Sequence, residues 1–305
     1  MGRVRMPDGK RIAVNLGADF DAQAIWLGSF NMPIQSLMQR GQFGAEVGLP
    51  RLLEVWERYG VMTSVFAPGH SVDTFPEVMR RVVDAGHEVG HHGYYHENPT
   101  KISRETEKKL IQLGLNSFKN QLGVRPIGFR APYWEHSEST LDLVEEFGFK
   151  YDSSLMGRDL QAYHPQRWQI NWEKGNVAGR ASRLLEIPVC WYIDDFPVLA
   201  YSHPQRGQQD TDTVLKRWCS MFDYAYERVD SPVFVSVVHP QVIGQGHHML
   251  MYEQFVEYIA GKEGVWFATC EQIADAWEPD DDDRRKFDLP DVRGVETAPP
   301  DSGWA

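Results

Sequence analysis

Strand-like and helix-like segments alternate along nearly the whole chain, and that alternation limits the folds open to it. Short β-branched or aromatic runs read as strands at Ile12–Leu16, Val61–Phe66, Glu88–Gly90, Ile127–Phe129, Leu184–Val189, Val233–Val238 and Val265–Ala268. Between them, apolar residues recur at helical spacing. Leu52, Val55, Trp56 and Tyr59 form one stripe, and Gly60 stops that helix. Phe75, Val78, Met79 and Val82 form another, which Asp73 can cap. Ile111, Leu115, Phe118 and Leu122 mark a long helix after Pro99. Further helices are expected over Ser137–Phe147, Thr211–Arg228 and Met249–Ala260. Seven strands alternating with helices predict βαβ units and a parallel sheet, better closed into an α/β barrel than left open.

The boundaries follow from composition. The 305 residues are 42% hydrophobic and 24% charged, enough for a sizeable core. Residues 1–277 read as a single catalytic barrel. Residues 278–305 carry nine acidic and four basic side chains, with Asp280–Asp283 in a row and Pro290, Pro299 and Pro300 beyond. That stretch reads as an acidic, Pro-containing loose extension, with Phe287 and Trp304 as possible anchors. A net charge of −12 argues against nucleic acid as a partner. No stretch reaches the ~20 apolar residues of a membrane span, and the first residues lack the apolar core of a signal peptide. Three scattered cysteines suit a reducing compartment, so the expectation is a cytoplasmic protein.

Parallel strands bring their C-terminal ends to one face, and five of those ends carry unusual residues. Asp19-Phe20-Asp21 follows the first strand; at i and i+2 the carboxylates share a face, which suits a cation, although a solvated acidic turn has the same pattern. Four histidines fall between His87 and His96. The pairs His87/His91 and His92/His96 both have i,i+4 spacing, but only the second follows its strand to the active end, and it suits a metal such as Zn²⁺. Arg130 ends an apolar strand before Pro132, Tyr133 and Trp134, a position for pairing with a carboxylate. Trp191, Asp194 and Asp195 combine an apolar wall with acids. His239-Pro240 ends the most apolar strand, where a histidine can move protons near neutral pH. One Asp with two His is a ligand mix for a catalytic metal with open positions. A second carboxylate, an arginine and a separate histidine complete the parts for metal-assisted amide hydrolysis.

In order and spacing, these five motifs resemble the polysaccharide deacetylase family with the NodB homology domain, carbohydrate esterase family 4. The resemblance spans about residues 10–278. Gly86-His-Glu-Val-Gly, His96-Glu-Asn-Pro and His239-Pro-Gln are most similar to the branch holding a Helicobacter peptidoglycan deacetylase-like protein and cyclic imide hydrolases. The resemblance implies a distorted (β/α)7 barrel. It implies a divalent metal, usually zinc, on Asp21, His92 and His96. Asp19 would be the base, held by Arg130, and His239 the acid, tuned by Asp194 or Asp195. The Tyr133 backbone N–H would meet the oxyanion, and Trp134 and Trp191 would line the substrate pocket. A homo-oligomer, dimer or tetramer, is also implied. Phe20 between the aspartates and Gly93 after His92 depart from the commonest family pattern. The expected substrate is an N-acetylated sugar; the alternative is a cyclic imide or other small amide, with Ser29–Leu49 as a lid that could serve a neighbouring subunit. A non-catalytic ligand-binding barrel is the third reading.

Overall fold

The computed structural model describes residues Gly2–Tyr201 and Gly207–Thr297. Eight parallel strands form the main sheet: β1 (Ile12–Asp19), β2 (Ser64–Ala67), β3 (Glu88–His91), β4 (Gly128–Phe129), β5 (Tyr151–Asp152), β6 (Leu185–Glu186), β7 (Val233–Val238) and β8 (Val265–Phe267). The continuous path runs β7-β1-β2-β3-β4-β5-β6, and β8 also pairs with β1. Along β1 the lower residues Ile12–Val14 pair with β8, whereas Ala18 and Asp19 pair with β2. A parallel bridge from Asp194 to Val237 brings the chain beyond β6 back to β7. The result is a curled parallel sheet, the distorted barrel expected from the sequence.

Alternation along each strand sets which side chains face inward. In β1, Ile12, Val14, Leu16 and Ala18 join the layer under the helices, while Ala13 belongs to the cluster inside the barrel. The inward register therefore continues through Asn15 and Gly17 to Asp19. In β7, Val233, Val235 and Val237 face inward and Phe234 and Val238 outward, so the next inward position is His239. The outer layer is built by helices such as α1 (Gln35–Phe43), α2 (Leu49–Tyr59), α3 (Arg104–Leu122), α4 (Thr211–Arg228) and α5 (Gly246–Ala260). Trp56 of α2 and Tyr252 of α5 are fully buried, and the indole N–H donates to the phenol at 3.0 Å. Gly60 ends α2 in the left-handed conformation at φ 64°, as the Gly60 stop predicts.

Several expectations need correction. The strand Tyr151–Asp152 was absent from the seven read in the sequence; two residues are too few to show a period. Asp73 does not cap the next helix, because Pro76 starts that helix and Phe75 takes the cap position. Asp73 instead accepts from Ser117 Oγ at 2.7 Å and Tyr94 Oη at 3.1 Å. The strands Gln166–Asn171 and Val177–Ala181 form an antiparallel pair that the sequence reading missed.

The acidic extension is not a loose tail over its described part. Trp277–Glu278 pairs antiparallel with Arg3–Val4, Asp281–Phe287 is a helix, and Gly294–Thr297 pairs with Gln166–Asn171. Asp280 caps that helix, and its Arg284, Arg285 and Lys286 lie at i+3 and i+4 from the acids, which neutralises the run locally. Phe287 does anchor the segment, its ring edge meeting His164 at 4.9 Å. Trp304, Pro299 and Pro300 lie outside the described residues.

Candidate active site

The ends of β1, β3, β4 and β7 and the segment after β6 deliver the site groups to the barrel mouth. Asp19, Asp21, His92, His96, Arg130, Asp194, Asp195 and His239 are all buried. The histidine cluster separates by alternation. His91 points outward between Phe118, Phe129 and Phe149, bonds the Ile111 carbonyl at 3.0 Å, and is structural. His87 packs on Trp56 at the opposite end. His92 continues the inward register, and a left-handed Gly93 (φ 69°) turns the chain so that His96 returns to the same point.

The ligand-forming atoms of Asp21, His92 and His96 lie within 4.8 Å of one another. Asp21 Oδ1 is 3.6 Å from Nε2 of each imidazole. The other ring nitrogens are committed: His92 Nδ1 faces the Arg130 carbonyl at 2.8 Å. Ser29 Oγ donates to the His96 carbonyl at 2.9 Å, so it accepts from His96 Nδ1–H at 2.5 Å. Both Nε2 lone pairs therefore face a carboxylate oxygen that has no hydrogen-bond partner of its own. Burial holds His92 down at about 4 and His96 well below the usual imidazole range, so both are neutral, the form that ligates metals. Burial, reinforced by the Asp19 and Asp194 charges, pushes Asp21 up to about 8 against the pull of His239. Without a cation beside it the buried Asp21 therefore keeps a proton at neutral pH. A carboxyl oxygen and two imidazole nitrogens converging on one point are the donor set of a divalent cation that would displace it, and O plus two imidazole N suits zinc.

Asp19 sits beside this group in a different environment. Burial opposes its charge, but Arg130 donates to Oδ1 at 2.6 Å and, with His92 and His239, holds the carboxyl down at about 2. Trp134 Nε1 donates to Oδ2 at 3.2 Å. Two carboxylates two residues apart are thus driven in opposite directions by their surroundings. Opposite them, His239 Nε2 lies 3.6 Å from Asp21 Oδ2. Asp195 Oδ1 accepts from both the backbone N–H of His239, at 2.9 Å, and its Nδ1, at 2.7 Å. Asp194 Oδ1 is farther from Nδ1, at 3.3 Å, and accepts the Phe196 N–H. Burial works against a charged His239, yet the two carboxylates push it well above the ordinary range.

A cavity of about 160 Å³ opens onto Asp19, His92, His96, Asp194 and His239. Tyr133, Trp134, Trp191 and Phe196 wall it. Trp134 and Trp191 stack with centroids 4.2 Å apart. Tyr133 and Trp134 adopt left-handed backbone angles (φ 60° and 54°), local strain that aims the loop at the site.

Two contributors were not singled out in the sequence. Ser29, read only as the start of a lid, orients His96. Gln241 Nε2 donates to Asp21 Oδ2 at 3.4 Å; in the sequence it appears as the last residue of His239-Pro-Gln, with no role attached. The Ser29–Leu49 segment is fixed to its own chain: a Cβ on Gly28 would strike the Tyr95 carbonyl, and one on Gly48 the Pro240 carbonyl. Its first two residues, Ser29 and Phe30, line the cavity.

Comparison with known proteins agrees with this architecture. Residues 43–151 match the family model described as polysaccharide deacetylase. A peptidoglycan deacetylase of Helicobacter pylori is 38% identical over 281 residues, covering 87% of this chain and 96% of that one. This chain belongs to the polysaccharide deacetylase family. It is accordingly a hydrolase of the class acting on C–N bonds other than peptide bonds. Among solved structures, a Mycobacterium smegmatis protein classed with the polysaccharide deacetylases superposes with a TM-score of 0.79 at 29% identity, over 98% of both chains. The PuuE allantoinase shares the fold, with a TM-score of 0.72 at 22% identity over 90% of this chain and 92% of that one.

Proposed function

We propose that the chain is a zinc-dependent deacetylase that hydrolyses the acetamide of an N-acetylated sugar. The observation that carries this reading is the convergence of Asp21, His92 and His96 lone pairs between an ionised Asp19 and a cationic His239. A zinc ion on those three residues would supply Lewis acidity toward an amide carbonyl and toward water. Asp19, ionised and held by Arg130 and Trp134, takes a proton from the attacking water. The Tyr133 backbone N–H serves the developing oxyanion. His239 gives its proton to the departing nitrogen, and Asp195 keeps its Nδ1 protonated and its ring oriented. Trp134 and Trp191 hold the substrate against this set.

A second reading keeps the site and changes the substrate to a cyclic imide or small amide. It is favoured by the cavity itself: about 160 Å³ is well below the roughly 300–1,000 Å³ of pockets for larger ligands, and aromatic rings wall it. The experiment is a hydrolysis panel on protein stripped with chelator and reloaded with Zn²⁺ or Co²⁺. It includes N-acetylglucosamine oligomers, peptidoglycan fragments, succinimide, hydantoin and allantoin. Acetate release from the glycans supports the first reading; turnover of the imides alone replaces it with the second. No turnover of any member, with metal bound, overturns both in favour of a ligand-binding barrel. We further propose a homo-oligomer, to be read by light scattering.

A further inference from the structure

Behind the barrel wall, two carboxyls occupy a layer where neighbouring strands carry apolar side chains. Asp152 ends β5 and Glu186 ends β6, and the parallel register sets them side by side. Their neighbours Tyr151 and Leu185 belong to the cluster inside the barrel, so both carboxyls point outward. Both are fully buried. Two adjacent buried carboxylates repel strongly enough that the pair retains a proton. Burial, then the Asp152 charge, push Glu186 well above the usual carboxylate range. Burial opposes the charge on Asp152 too, but His136, whose Nε2 is 3.0 Å from Oδ2, and the bond from Glu186 hold it down. The shared proton therefore rests on Glu186 and the negative charge on Asp152.

What this pair grips is the turn at Ser153–Leu155 that receives Arg130. Glu186 Oε1 accepts the backbone N–H groups of Ser154 and Leu155 at 2.8 and 2.9 Å. Asp152 Oδ1 accepts the Ser154 hydroxyl at 2.7 Å, and that hydroxyl accepts the Ala131 N–H at 2.8 Å. Between these clamped residues, inward-facing Ser153 receives Arg130 twice, Nε on its carbonyl and Nη2 on its hydroxyl, both at 2.8 Å. The remaining Arg130 side-chain hydrogen bond is the 2.6 Å bond to Asp19, and the guanidinium also lies 3.9 Å over the Phe66 ring. Ser153 thus supplies two of the three bonds that aim the guanidinium.

We propose that Asp152 and Glu186 form a proton-sharing splint, with Glu186 a positioning residue that fixes Arg130, and through it Asp19, for catalysis. The catalytic consequence rests on Asp19 being the base, as in the function proposed above; the splint's geometry does not.

The test compares Glu186→Gln with Glu186→Ala in the full chain loaded with Zn²⁺. The carboxamide keeps the acceptor for Ser154 and Leu155 and a donor toward Asp152, whereas alanine keeps neither. On whichever amide the wild type hydrolyses, E186Q keeps kcat close to wild type. E186A lowers it about 10²-fold, the scale of a base misplaced by an ångström, with KM and bound zinc unchanged. If E186A is recovered unfolded, Ser154→Ala, which removes only the hydroxyl between Asp152 and Ala131, replaces it with the same expected pattern. Crystal structures of the variants give a readout independent of any substrate: the Arg130–Asp19 bond persists in E186Q and is lost in E186A or S154A. The proposal is overturned if E186Q is as impaired as E186A, if kcat, KM and zinc content fall together, or if the Arg130–Asp19 bond survives both truncations. Absence of turnover in the wild type would count against the proposed function alone, since the structures still decide the splint.

Discussion

Ser29 and His96 are bonded twice, through the serine hydroxyl to the imidazole Nδ1 at 2.5 Å and to the histidine carbonyl at 2.9 Å. The first bond fixes the ring tautomer, and the second fixes which way the hydroxyl proton points. Partners of this kind orient metal-ligating histidines, and their loss typically weakens metal binding about 10–100-fold. Ser29→Ala is expected to weaken zinc binding on that scale in a chelator competition, with the fold intact by circular dichroism. Unchanged affinity would mean that Ser29 has no part in the site.

The Arg130–Asp19 pair predicts an acid limb. Asp19 is held at about 2, so it is ionised, and its stabilising contribution is present, above the normal carboxylate range; the contribution is lost as pH falls toward 2. Arg130→Met removes the charge that opposes burial, so Asp19 rises and the acid limb of kcat/KM moves to higher pH. Because a buried carboxylate is left unpaired, unfolding free energy at pH 7 falls by about 3–5 kcal/mol in denaturant titration. An unmoved acid limb would separate Asp19 from the base role.

His239 predicts the alkaline limb. It acts protonated, and although burial opposes the charge, Asp194 and Asp195 raise it well above the ordinary value. Activity should therefore persist through pH 6.5 and fall only as pH rises through the raised value. Asp195→Asn removes one of the two acids and lowers that limb in a pH–rate profile. Asp194 stands farther from Nδ1, at 3.3 Å against 2.7 Å, yet its charge is the larger influence raising His239, so Asp194→Asn should lower the limb at least as far.

The C-terminal segment predicts a stability effect at a distance from the chemistry. Asp283 is buried and accepts the Gly2 N–H at 2.6 Å, Asn171 donates to Glu296 at 2.9 Å, and Arg293 pairs with Asp142. Deleting residues 279–305 should lower stability by roughly 1–3 kcal/mol in thermal or denaturant unfolding while leaving zinc content unchanged. An unchanged melting temperature would restore the loose-tail reading.

How legible the molecule was in sequence depended on the range of the signal. Val233–Val238 and Thr211–Arg228 were read with their boundaries intact, because a β-branched run and a capped apolar stripe are local facts. The parallel order of the strands also placed Asp19, His92, Arg130 and His239 at one end of the barrel, and the position of His87 ahead of its strand separated the pair His87/His91 from His92/His96. Strands of two residues, such as Tyr151–Asp152, have no period to read; their pairing comes from neighbours far along the chain. Ser29, Gln241, Ser153 and Glu186 were silent for the same reason, since each matters through a partner at least 23 residues away. The acidic extension misled because composition counts charges but not their spacing, and here the bases sit one turn from the acids.

The central claim is that Asp21, His92 and His96 hold a catalytic divalent metal. The most direct measurement is metal content by mass spectrometry on the wild type and Asp21→Ala, paired with turnover before chelation, after it and after Zn²⁺ is returned. The account predicts one ion per wild-type chain, none held by D21A, and turnover that disappears with the metal and comes back with it. A wild-type chain that binds no divalent ion and turns over its substrate equally well in chelator would contradict it.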